Sequence, residues 1–115
     1  MNKTKDLGRK GEQMAADYLR KRGYVILKRN YRVGKREIDI IASKNGFLIF
    51  VEVKMRKSAR YGMPEEAVDE RKAEKIRYVA EHYLAYHKWP GPIRFDIIAI
   101  IKNESVEITH FKDAF

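Results

Sequence analysis

Apolar residues fall at helical spacing in two stretches of the chain and at strand-like spacing in the rest. Over residues 5–22, Leu7, Met14, Ala15, Tyr18 and Leu19 share one stripe, Arg20, Lys21 and Arg22 crowd the end, and Gly23 supplies a stop, which predicts an amphipathic helix. Tyr24 to Tyr31 reads as a first strand, turned by Arg32-Val33-Gly34-Lys35. Glu37 to Arg56 follows as a hairpin, and Met55 to Met63 as a loop. Pro64 and two glutamates open a second helical region running to about His87, with Asp69 as a cap and Ile76, Val79, Ala80 and Tyr83 as its buried stripe. Trp89-Pro90-Gly91-Pro92 ends it. Ile93 to Ile101 is almost continuously apolar, as expected of a strand covered on both faces, and Asn103-Glu104-Ser105 leads into a last strand, Val106 to Phe111. The predicted order is α-β-β-β-α-β-β. A right-handed crossover would set the fourth strand parallel to the third in one mixed five-stranded sheet flanked by helices.

The central hairpin carries the most information. Asn45-Gly46 suits a type I′ turn, whose two central residues need positive φ. If Lys44 and Phe47 close it, opposed residue numbers sum to 91. Asp39 then faces Glu52, Glu37 faces Lys54 and Ile41 faces Phe50, all on one side, while Ile38, Ile40 and Ala42 meet Ile49, Val51 and Val53 on the core side. Opposed carboxylates repel by roughly 0.2–1 kcal/mol where cross-strand partners usually help. A cation held between Asp39 and Glu52 would account for the pairing.

Composition narrows the chemistry. A chain of 115 residues is expected to form a single domain spanning 1–115, and no cysteine is present for disulfides, thiolate zinc or thiol nucleophiles. The N-terminal residues lack an apolar signal-peptide core, and no apolar run approaches a membrane span, so a cytoplasmic protein with no membrane partner is the expectation. Net charge is +9 and unevenly spread: residues 1–60 hold 17 Lys/Arg against 6 Asp/Glu, residues 61–115 hold 8 against 10. A basic first half suits a polyanion such as nucleic acid. Arg56, Lys57 and Arg60 are candidate phosphate contacts in a loop that also offers Tyr61 for stacking. Lys72 either snorkels to water or reaches a bound phosphate. Glu12 either flanks its helix or leans toward the carboxylate pair. The three histidines form no zinc pattern, and no phosphate-binding or dinucleotide glycine motif occurs. Mg²⁺, by contrast, is commonly held by one or two carboxylates plus phosphate and water.

Asp39 followed by Glu52-Val53-Lys54 resembles the PD-(D/E)xK nuclease motif, with Ile38 in the place of the motif's proline. The predicted element order is similar to the restriction-endonuclease-like core, and Glu12 looks like the extra acid of Holliday-junction resolvases. The whole chain resembles the small bacterial YraN-like proteins through Gly11-Glu12, Asn30-Tyr31-Arg32, Glu37 to Ile41, Phe50 to Lys54 and Arg94-Phe95-Asp96. The resemblance implies a Mg²⁺- or Mn²⁺-dependent nuclease acting on DNA ahead of RNA, at branched or structured sites. It assigns Asp39, Glu52 and the Val53 carbonyl to the metal, Lys54 to the attacking water, and Glu12 and Glu37 to supporting roles. A resolvase-like role would imply a homodimer. The alternatives are a non-catalytic nucleic-acid-binding module of the same fold, and a protein-interaction domain that meets an acidic partner.

Overall fold

The computed structural model describes residues 3–57 and 68–115, with side chains from Gly8 onward. Its elements are α1 (Lys3–Lys21), β1 (Val25–Val33), β2 (Arg36–Lys44), β3 (Phe47–Arg56), α2 (Glu70–His87), β4 (Ile93–Lys102) and β5 (Val106–Phe111). The five strands form one sheet in the order β1-β2-β3-β4-β5, antiparallel throughout except that β3 and β4 run parallel. The predicted element order and mixed sheet are therefore observed. Arg60 and Tyr61 lie outside the described residues, as does the predicted helical start at Pro64.

Local chemistry sets the element ends. At the close of α1 the Tyr24 N–H reaches back to the Leu19 carbonyl and the Gly23 N–H to that of Arg20, with Gly23 at φ 86°; this paired closure satisfies carbonyls the helix leaves open. Asp69 caps α2, its carboxylate accepting the Lys72 N–H at 2.8 Å. Asn45 and Gly46 both take positive φ, as the predicted turn requires.

The helices cover opposite faces. Ala15, Ala16 and Leu19 of α1 pack with Ile40, Ala42, Ile49, Val51, Ile98 and Ile100. Ile76, Val79, Ala80 and Tyr83 of α2 pack with Ile38, Ile41, Leu48 and Phe50. Alternate residues of β3 thus feed different cores, the period-2 rule for a sheet buried on both sides. Gly11 lets α1 lie close on β3: a Cβ there would stand 3.0 Å from Met55 Cβ.

One buried polar cluster ties the far end together. Asp96 is wholly buried and accepts two bonds from Arg94, one from the Asp113 N–H at 3.0 Å, and pairs with His110 Nε2 at 2.6 Å. Arg94 also donates to the Tyr24 hydroxyl. Burial works to raise the Asp96 pKa, but the bonds from His110, Arg94 and Asp113 outweigh it and hold the carboxyl below its usual value. His110 is thus an interior residue that belongs to the scaffold.

Candidate functional site

The hairpin keeps its predicted register for five pairs, from Lys44 opposite Phe47 to Ile40 opposite Val51, and then departs from it. In the continued register the Val53 N–H would be due to the Ile38 carbonyl. The Asp39 carboxylate takes it instead, Oδ2 lying 2.8 Å from the Val53 nitrogen. The strand turns locally, so Ile38 joins Ile41 under α2 while Ile40 and Ala42 remain under α1. Two expectations are corrected by this. Ile38 does not share a face with Ile40, and Glu37 does not face Lys54: it stands opposite Arg32 of β1 and binds that guanidinium at 2.8 Å.

Freed from the ladder, the acids gather. Glu12, Glu37 and Asp39 each offer an oxygen within 4.8 Å of the others. Glu12 thus leans toward the sheet, as the second of its two readings anticipated. Glu52 also meets Asp39, and forms an ion pair with Lys72 at 3.6 Å. Burial, the charge of Glu52 and a hydrogen bond shared with Glu52 push the Asp39 pKa up to about 8, against the pull of the Val53 N–H. Glu12 is also raised, by burial first and then by Asp39 and Glu37, with the Asn30 hydrogen bond opposing.

Asn30 received no role from the sequence, yet it organises the cluster. Its Nδ2 donates to Glu12 Oε1 at 2.7 Å and to Glu37 Oε1 at 2.9 Å, clamping two like charges side by side. It does so from φ 52°, a left-handed conformation inside a strand, which asparagine tolerates better than most residues but which still costs roughly 1 kcal/mol or more. The sequence holds two signals for it: a polar residue of this type within a strand pattern, and its place in the Asn30-Tyr31-Arg32 segment that carries the family resemblance.

Of the clefts that open on the acids among the described residues, two include both Asp39 and Glu52. The smaller, about 220 Å³, is lined by Gly8, Glu12, Asp39, Glu52, Val53, Lys54 and Met55, and so brings Lys54 beside three carboxylates. The larger, about 430 Å³, runs from Glu37, Asp39 and Glu52 to a rim of Lys35, Arg36, Lys72 and Lys75. Lys35, Arg36 and Lys75 were not singled out from sequence, because the turn and helix that carry them are far apart along the chain. Arg56 is half-buried at the end of β3, whereas Lys57 is exposed just beyond it.

The hard oxygen donors fit a small divalent cation such as Mg²⁺ or Mn²⁺. Charge also fits: burial and then the neighbouring Glu52 favour the protonated form of Asp39, and a dication beside it would favour the carboxylate. The convergent set is Glu12, Glu37 and Asp39, with Glu52 adjacent through Asp39.

Comparison with known proteins places the chain among relatives of nearly its own length. A protein of Dictyoglomus thermophilum is 47% identical over 106 residues, covering 91% of this chain and 90% of its own. One from Caldicellulosiruptor bescii is 45% identical over 116 residues, covering 96% and 98%. Another, from Cytophaga hutchinsonii, is 49% identical over 94 residues. All three carry the name UPF0102 protein. The model of the "Uncharacterised protein family UPF0102" matches residues 11–100, a span that contains Glu12, Asn30, Glu37, Asp39, Glu52 and Lys54. The chain belongs to the UPF0102 family.

Proposed function

We propose that this protein is a metal-dependent nuclease of the restriction-endonuclease-like class, hydrolysing phosphodiester bonds in DNA. The observation that carries the reading is the convergence of Glu12, Glu37 and Asp39 within 4.8 Å, at the point where β2 leaves its partner strand and beside Lys54. Structural acids do not need a strand to break its ladder, or an asparagine held at φ 52°, to be brought together.

Glu12, Glu37 and Asp39 would hold Mg²⁺ or Mn²⁺, with Glu52 and the Val53 carbonyl completing the set as the substrate arrives. Such an ion polarises a phosphoryl oxygen and lowers the pKa of water. The chain's own groups do the rest. Lys54 donates a hydrogen bond to the attacking water or to a non-bridging phosphate oxygen. Glu12, where it holds a water of the ion rather than the ion itself, would accept a proton from that water, its basicity raised by burial. The water oxygen bonds to phosphorus as the bond to the leaving sugar oxygen breaks, and that oxygen takes up a proton from solvent. Arg56, Lys57 and Lys72 supply phosphate contacts. Arg60 keeps the same assignment on sequence grounds alone.

A second reading, nucleic-acid binding without cleavage, is favoured by the larger cleft, whose rim of Lys35, Arg36, Lys72 and Lys75 would attract phosphates with or without a metal. One experiment separates the two. Pure protein is incubated with duplex, single-stranded and branched DNA and with RNA, in Mg²⁺, Mn²⁺ or chelator. Cleavage that requires metal and is lost in Lys54→Ala supports the nuclease. Binding without cleavage in every condition supports the module. Sedimentation during the same preparation tests the homodimer expected of a resolvase-like enzyme.

A further inference from the structure

The outer flank of α2 carries a feature the acid site does not explain. Arg71, Lys75, Tyr78, His82 and Tyr86 follow one another at intervals of three and four residues, so they form one strip along the helix. Two of its aromatic rings are open to solvent, Tyr78 at 41% and Tyr86 at 81%. Glu70, Glu74 and Glu81 also fall at helical intervals, but on a different side, where Glu70 pairs with Arg77 at 2.9 Å. The cationic and aromatic strip adjoins the larger cleft, since Lys75 and Arg36 line that cleft and the Arg36 guanidinium lies 4.7 Å from the Tyr78 ring centroid. His82 packs against Tyr78 at 4.8 Å between centroids, an inclined contact that holds the ring in place before any ligand arrives.

We propose that this strip is a stacking track for the unpaired bases of a single nucleic-acid strand whose backbone lies over Lys35, Arg36, Lys72 and Lys75 and leads to the acid cluster. The proposal rests on the nuclease reading for the identity of the cluster, and it adds the class of substrate: DNA with a single-stranded segment beside the scissile bond. Charge complementarity selects the occupant. A cationic rim matches a phosphate backbone, and exposed rings interleaved with cations match bases, which every nucleotide presents as a flat face. A duplex keeps its base faces stacked inside and offers only edges. An acidic peptide would satisfy the lysines, but its carboxylates are repelled by the electron-rich faces of Tyr78 and Tyr86. The length also fits. From Tyr78 to Tyr86 is about 12 Å at 1.5 Å per residue, the span of about three to four bases at the 3.4 Å spacing of a stacked strand.

The test measures binding by fluorescence anisotropy in chelator. It uses a labelled oligothymidylate, an abasic strand of the same length and charge, and a duplex. The base-bearing strand is expected to bind about tenfold or more tighter than the abasic one, from stacking on two rings. The pair Tyr78→Ala and Tyr86→Ala should erase that preference while leaving abasic affinity unchanged, and the corresponding phenylalanine variants should retain it. Lys35→Glu with Lys75→Glu should weaken both strands alike. Equal affinity for the two strands in the wild type overturns the proposal. So does displacement of the strand by a polyglutamate peptide of equal charge at equal concentration, or dissociation of a dimer by Tyr86→Ala. Cleavage is scored separately: metal-dependent cutting without a base preference removes the track alone. A base preference without cutting, in any metal, removes the nuclease reading alone.

Discussion

Replacing Asp39 by asparagine tests whether the acid cluster exists for a cation. The aspartate has a folded-state pKa of about 8 against 3.8 for the ordinary group. Its proton is therefore bound more tightly in the native chain than in the unfolded one. The stability this confers is fully present below pH 3.8 and is lost steadily as pH rises through 8, because the unfolded chain ionises freely while the native state keeps the carboxyl protonated. Each pH unit within that window removes up to about 1.4 kcal/mol. Across the window an isolated acid would lose about 5–6 kcal/mol by that figure. The proton is shared with Glu52, and Lys72 and cleft water screen the pair, so we expect about 1–3 kcal/mol to be recovered on neutralisation. Asparagine keeps the shape, can accept the Val53 N–H through its carbonyl and can donate to Glu52 through its amide.

Thermal melts of wild type and Asp39→Asn at pH 5 and pH 8, in chelator and in Mn²⁺, make the comparison. Without metal the variant should melt higher at pH 8, by about 4–12 °C at roughly 4 °C per kcal/mol for a chain of this size. The gap should narrow at pH 5, where the wild-type pair holds its proton. Added Mn²⁺ should raise the wild-type melting temperature more at pH 8 than at pH 5, since ligands must shed protons to bind. The variant should gain little at either pH. A variant that melts lower than wild type at pH 8 without metal, yet keeps the full Mn²⁺ shift, would refute both the repulsion and the site.

Three further outcomes follow from other parts of the molecule. Asn30→Ala removes the donor shared by Glu12 and Glu37, so Mn²⁺ affinity measured by calorimetry should fall about 10–100-fold, as expected for a residue that orients metal ligands. Asp96→Ala leaves Arg94 without its buried partner and should cost about 3–5 kcal/mol in urea unfolding; in the wild type the stability owed to Asp96 persists above its ordinary pKa and disappears as pH falls through the lowered one. Gly11→Ala places a methyl 3.0 Å from Met55 Cβ, and the crowding should outweigh the helix-propensity gain by about 1 kcal/mol, read as a lower urea midpoint.

How far the sequence could lead is itself set by physics. The Asn45-Gly46 turn is a local signal, and five pairs of the hairpin follow from it because register propagates once a turn is fixed. Propagation fails where a side chain competes with the backbone, and Asp39 is such a competitor: its carboxylate holds the Val53 N–H that ladder continuity would assign to Ile38. A pairing rule cannot foresee this, since the rule counts residues and the outcome depends on which acceptor is better. The same competition explains why Glu52, placed with Asp39 in the metal pair by the hairpin register and by the resemblance, lies beside rather than within the group of Glu12, Glu37 and Asp39. It also explains why Glu37, given only a supporting role, lies inside that group. Asn30 and Arg36 were hidden for a different reason. Their importance comes from contacts with α1 and α2, elements 18 and more than 40 residues away in sequence, and neither periodicity nor charge reports on such contacts. If the departure of β2 from its ladder is what builds the site, a change that restores the ladder should dismantle it. Asp39→Val offers no acceptor, returns the Val53 N–H to the Ile38 carbonyl, and should move Ile38 back toward the α1 side. The test is amide exchange at Val53 together with Mn²⁺ binding: protection retained and metal response lost supports this account. Unprotected Val53 in a folded variant would mean that the strand bends for some other reason.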